Sequence, residues 1–285
     1  MTRRMSRLAA AMLAPAAVLA VAAGTASAAQ TVIYNHIPSP LPGNLQSQSF
    51  EASATSEYGS QVGFVPGTWK NPTVTVTMST WACFEGTWNG GNCKTPMGAK
   101  FEWPITVSVY QESFGDVGPL LARASKTFKL LYRPSASVKC TGANLGKWYN
   151  KGTCFNGKAF KISLGLKIAK LPAKAIIGVA YNTSDWGAKP QRPQESGALA
   201  GCNSKPEGCP YDSLNVAETR TTATPLEPSV GEQPEPEYGY INSSYPTEYC
   251  ESDVSAGTFG FTTCTEGGVY REQYVPAIEV KATAG

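Results

Sequence analysis

Histidine is almost missing from this 285-residue chain: His36 is the only one. No paired Cys-x-x-Cys occurs either, so a zinc site of the usual Cys and His composition is not expected. A Ser-His-Asp triad would have to use His36, and no Gly-x-Ser-x-Gly turn holds a serine ready for it. Charge is scarce at 16% of residues, and no stretch sustains a helical period, which removes helical bundles from consideration. The formal charge of +3 includes Arg3, Arg4 and Arg7, which precede any acid; without them 21 bases face 21 acids. A neutral chain is not a nucleic-acid binder held by overall charge.

The sequence is rich instead in turn and strand formers, with 28 Gly, 21 Pro and 13 Tyr. Residues 1–28 read as a signal peptide: a basic start, an apolar stretch from Leu8 to Ala23, and Ala26-Ser27-Ala28 as the cleavage site. That stretch contains Pro15 and falls short of the roughly 20 apolar residues that span a bilayer. The expectation is a secreted, extracellular protein with no membrane attachment in its mature form. Residues 29–285 are expected to form a single domain.

Eight cysteines fit an oxidising compartment. They fall in four close couples, Cys83 with Cys93, Cys140 with Cys154, Cys202 with Cys209 and Cys250 with Cys264. Bonding within each couple is expected, because nearby thiols meet most often during collapse.

Strict alternation marks Pro72 to Thr80 as a half-buried strand, and Phe101 to Tyr110 as another in which Trp103 faces the core. Pro104 calls for an edge or a bulge there. Further strands are expected at Thr31 to Ile37, Phe50 to Ser53, Gln61 to Val65, Lys126 to Tyr132, Lys158 to Leu166, Ala175 to Asn182, Asp212 to Glu218 and Tyr274 to Lys281. About ten strands with polar outer faces give an all-β, antiparallel two-sheet sandwich with disulfide-clamped loops, of which a jelly roll is one form. Thr219 to Glu237, rich in Pro and Glu, is expected to cross the surface rather than link two domains.

If successive strands reverse, the loops at 81–100, 133–157 and 183–211 share one end, and those at 112–125, 167–174 and from 219 onward share the other. The first end then collects Trp81, Trp88, Trp148, Tyr149, Asp185 and Trp186. Indole and phenol faces stack on sugar C–H patches, while Asn89, Asn92, Asn150, Asn156 and Asp185 take hydroxyls. The same end can equally be a set of tryptophans capping the core. Charge is segregated too: Lys94 to Lys174 carries 14 bases and 3 acids, and Ala175 to the end 6 and 15. A face that gathers the lysines would hold anionic cell-wall polymer through salt-sensitive contacts.

For catalysis, a glycosidase needs two carboxylates at a set separation, and Glu51, Glu57, Glu85, Glu102, Glu112, Asp116, Asp185 and Asp212 are available. Gly142 to Lys147 imitates a phosphate loop but lacks the following Ser or Thr. No cofactor and no metal site are expected.

The segments Thr31 to Asn44, Val74 to Trp81 and Gly208 to Val216 resemble a group of secreted actinobacterial proteins of unassigned function. The order of Ile105 to Tyr110, the Gly-Pro-Leu-Leu-Ala turn at 118–122 and a following strand is similar, more distantly, to β-sandwich surface modules of the choice-of-anchor type. That resemblance implies a β-sandwich and supplies no catalytic residues. The leading functional expectation is a non-catalytic binder of polysaccharide or anionic cell-wall polymer, using the aromatic loop end. A polysaccharide hydrolase and a structural or adhesive protein are the alternatives.

Overall fold

The computed structural model describes residues 29–48, 50, 55–88, 90–182, 213–219, 227–234, 238–243, 257–263, 265–266, 269–270 and 275–285. Among the described residues the strands run β1 (Gln30–Asn35), β2 (Ser47–Gln48), β3 (Thr55–Gly63), β4 (Trp69–Thr80), β5 (Lys100–Ser113), β6 (Asp116–Leu131), β7 (Trp148–Asn150), β8 (Thr153–Phe155) and β9 (Lys158–Gly165). Then follow β10 (Lys174–Ala180), β11 (Leu214–Thr219), β12 (Tyr238–Ser243), β13 (Gly260–Thr263), β14 (Thr265–Glu266), β15 (Val269–Tyr270), β16 (Val275–Pro276) and β17 (Ile278–Ala284). One turn of 3-10 helix lies at Gly142–Asn144.

The protein is an all-β, antiparallel two-sheet sandwich. In the first sheet β9 pairs with β4 from Thr73 to Thr80, while β17 and the start of β11 share the other side of β4. β1 lies outside β17, and β2 and β16 flank β11. The second sheet has the order β13-β12-β3-β10-β5-β6. Alternation does what the sequence pattern required: Val74, Val76 and Met78 of β4 share one buried cluster with Ile105, Val107 and Val109 of β5 and Ile177 and Val179 of β10. Each such side chain contributes on the order of 1.5–3 kcal/mol on leaving water. Trp103 is half-buried and packs against the same cluster. Pro104 pairs with Thr127 of β6 beyond the last β10 partner of β5, Thr106, where a missing N–H breaks no ladder.

The second sheet curls into half a barrel. A small second core fills its outer face, made of Tyr110, Ile176 and Tyr240 with Phe259, Phe261 and Val117 packed against them. The Tyr240 hydroxyl donates to Gly115 O at 2.7 Å, drawing β12 towards the β5–β6 turn. Val230 bridges to Asn35 of β1 and Glu232 to Gly63 of β3, so this short segment contacts both sheets.

Three expectations need correction. The strand number exceeds ten, because short two- and three-residue strands carry too little pattern to be read. Residues 112–125 are no loop: β5 and β6 pair from Lys100 with Leu131 out to Ser113 with Asp116 around a two-residue turn. β6 hides from pattern reading because its inner face is only half-buried, with Ala122, Ala124 and Phe128 packed against the core and Lys126 exposed between them. Of the strand expected at Phe50 to Ser53, Phe50 lies in a turn and residues 51–53 lie outside the described residues; β2 comes a few residues earlier.

Candidate functional site at the loop end

Two of the expected loops do share an end of the sandwich. The chain leaves β4 through residues 81–99 and leaves β6 through residues 132–157, and backbone bonds join them: Arg133 N donates to Ala82 O at 2.9 Å and Ala136 N to Cys93 O at 3.0 Å. Each loop carries its own disulfide, Cys83–Cys93 and Cys140–Cys154, with Cα separations of 5.4 and 5.9 Å. Closing such short loops covalently removes disorder from the unfolded chain and fixes the loop shapes.

A cation locks the two loops together. Arg133 is the largest fully buried side chain among the described residues; it donates from Nη1 to Trp88 O at 3.3 Å and from Nη2 to Gly146 O at 2.8 Å. Its enclosed Nε has no partner. Desolvation draws its pKa down to about 10, the direction expected of a buried cation. Gly146 has φ of 84°, and a Cβ there would stand 2.8 Å from Gly91 Cα, so the loops can cross this closely only with glycine.

The aromatics sort into layers. Trp81 is half-buried, its indole N–H donating to Ser79 Oγ at 3.1 Å. Trp88 stands edge-to-face on it with ring centroids 4.7 Å apart, and is 38% exposed. Tyr149, on the β7–β8 hairpin, is equally exposed, and the Lys139 ammonium sits 4.8 Å over its ring. Trp148 is different. It is buried, its indole N–H bonds Gly157 O, and Lys158 lies 5.0 Å over its ring. Trp148 was expected in the ligand surface and instead packs beneath it, because alternation on the short β7 strand turns Tyr149 outward and its neighbour inward.

Among the amides, Asn92 Oδ1 accepts from Thr87 N at 3.0 Å, which commits that oxygen to shaping the loop. Asn150 and Asn156 are half-buried. Asn89, Asp185 and Trp186 lie outside the described residues, as do Cys202, Cys209, Cys250 and Cys264. Residues 81–99 and 132–157 contain five bases, Lys94, Arg133, Lys139, Lys147 and Lys151, and a single acid, Glu85.

Of the carboxylates proposed for a hydrolase, Glu51, Asp185 and Asp212 lie outside the described residues, and among the described ones only Glu85 belongs to these two loops. Glu102 is exposed and pairs with Lys129 at 3.5 Å. Glu57, which sequence reasoning could only name as available, is buried on the outer face of the curled sheet, where the Tyr110 hydroxyl donates to it at 3.0 Å. Arg123 completes that network, donating to Ser108 Oγ at 3.0 Å and to the Tyr110 oxygen at 3.3 Å. Burial pushes the Glu57 carboxyl up, against the lowering influence of the Tyr110 hydrogen bond, Arg123 and Ser108. His36 is also buried, within 3.0 Å of the Thr219 hydroxyl and 3.4 Å of Tyr34 Oη, which donates to Gln233 at 2.7 Å.

Among the described residues no group of three or more His, Cys, Asp or Glu is placed to hold a metal ion, and no helix is long and apolar enough to cross a membrane. No family model, curated protein or solved structure matches the chain.

Proposed function

We propose that the protein is secreted and binds polysaccharide of the cell envelope at its loop end, without catalysis, and that anionic polymer is the preferred class. One observation carries the reading: two disulfide-closed loops, locked by Arg133, present Trp88 and Tyr149 beside an excess of lysines. Rigid aromatic faces give sugar rings something to stack on at low ordering cost. Lysines add attraction for carboxylate or phosphate groups, and this part weakens with salt. In the described part of the end, Glu85 is the lone carboxylate, so a two-carboxylate hydrolysis has less support there.

The test is co-sedimentation with purified insoluble cell wall, comparing the wild type with Trp88→Ala and Tyr149→Ala. Retention of the wild type, release of most of it by salt, and a roughly tenfold or greater loss of affinity in each variant are expected. Failure of the wild type to sediment, or unchanged retention of both variants, overturns the proposal.

A further inference from the structure

The strongly exposed large apolar side chains are not scattered. Among the described residues six belong to the loop end, namely Phe84, Trp88, Met97, Val138, Leu145 and Tyr149. The other three, Phe114, Leu120 and Leu121, belong to the far end of the β5–β6 hairpin. Along β5 these two places are roughly 40 Å apart at the usual strand rise. Exposed apolar groups collected in patches mark surfaces made for contact.

The two ends differ in charge sign. Pairing of β5 with β10 stops at Gln111 with Ala175, and residues 112–119 continue past it. This protruding piece carries Glu112 and Asp116 and no base, Lys174 standing at its root. The loop end carries the five bases and one acid described above.

The apex itself is chosen against local preference. Phe114 and Gly115 have φ of 55° and 83°, the double positive φ of a type I′ turn, for which Asn-Gly is the favoured pair. A bulky residue in that conformation is strained, yet Phe114 occupies it with its ring fully in solvent. Strain kept where a smaller residue would be easier points to a use for the ring. The apex is also rigid: Gly115 N donates to Glu112 Oε1, and Gly115 O accepts from Tyr240. Docking it would cost little ordering.

We infer that the protein associates head to tail, the acidic Phe114 hairpin of one copy docking on the basic aromatic loop end of the next. Opposite charges steer the encounter, and Phe114 supplies the apolar anchor beside Trp88. Because the two surfaces differ, the contact is heterologous and extends into open chains rather than closing a dimer. The arrangement stands independently of polymer binding, although both would use the loop end.

Sedimentation velocity on the purified protein tests it. Wild type is expected to grow in mass with concentration up to about 1 mM and to return to monomer when salt rises from about 0.05 to 0.5 M. Phe114→Asn suits the turn, so it folds, and it should weaken association roughly thirtyfold. Glu112→Gln with Asp116→Asn keeps the local acceptors and removes both charges, and should abolish the salt effect. Decisively, Phe114→Asn mixed with Trp88→Ala should give a one-to-one heterodimer, since each supplies the surface the other lacks. A wild type that stays monomeric, a Phe114→Asn variant that associates like wild type, or a mixture without heterodimer overturns the inference. Phe114→Asn leaves the loop end intact and should sediment with cell wall as wild type does, so loss of wall retention and loss of self-association remain separable.

Discussion

Arg133 under the loop end and Glu57 on the curled sheet are both buried charged side chains, and the protein accommodates them in different ways. Arg133 has no carboxylate beside it among the described residues and is held by two backbone carbonyls, so its charge is solvated by dipoles that happen to belong to two different loops. Glu57 is held by side chains, Tyr110 directly and Arg123 and Ser108 beyond it, within a single sheet. The first arrangement joins segments; the second fills a depression. The depression exists because Gly178 lies alongside: a Cβ there would overlap Glu57 Oε1 and stand 2.9 Å from its Cδ. A buried ion is costly in either setting, and the difference lies in what each ion organises.

The largest effect is expected at Arg133. Arg133→Met keeps much of the volume but leaves the carbonyls of Trp88 and Gly146 without their donor, and should cost about 2–4 kcal/mol in denaturant unfolding together with the ordered position of Trp88. A midpoint equal to wild type would mean that water replaces the guanidinium and that the loops need no lock. Gly178→Ala comes next, at about 1–3 kcal/mol, because the carboxylate must leave its place. In a Glu57→Ala background the same substitution should be nearly free, and an additive double mutant would show that the two sites do not share space.

Glu57→Gln is expected to act least and in the opposite direction. The carboxyl is pushed up on folding, so its proton is bound more tightly in the native state, and the native state loses stability as pH rises from the ordinary Glu range through the raised value. Glutamine accepts the same hydrogen bond without a charge. Its melting temperature should exceed that of wild type by roughly 2 °C at pH 7, with the gap closing towards pH 4. A gap independent of pH would assign the effect to packing instead.

Part of this was legible from sequence. Clean alternation from Pro72 to Thr80 announced a half-buried strand, and chain reversal brought Trp81 and Trp88 to the loops that hold Cys140 and Cys154. The closeness of cysteines within couples also sufficed for the two disulfides seen. Trp148 and Tyr149 could not be told apart, since a three-residue hairpin strand shows no period. Arg133 was unreadable for a different reason: its partners are carbonyls of Trp88 and Gly146, and backbone acceptors leave no trace in composition. Glu57 was hidden by register. Only the pairing of Gly178 with Gly59 on one side and Ser108 on the other places a side-chain-free notch next to it. Phe-Gly at 114–115 did carry a signal, a turn whose first residue is wrong for the turn, inside a stretch that otherwise looked like a loop.

The pairing of β1 with β17, from Gln30 opposite Thr283 to Asn35 opposite Glu279, sets the timing of assembly. β1 has no other strand partner among the described residues, so the first sheet cannot be completed until β17 has emerged from the ribosome. Non-local pairing of this kind delays the closing step. The same strand order that defines the sandwich thereby places closure of its first sheet late in synthesis.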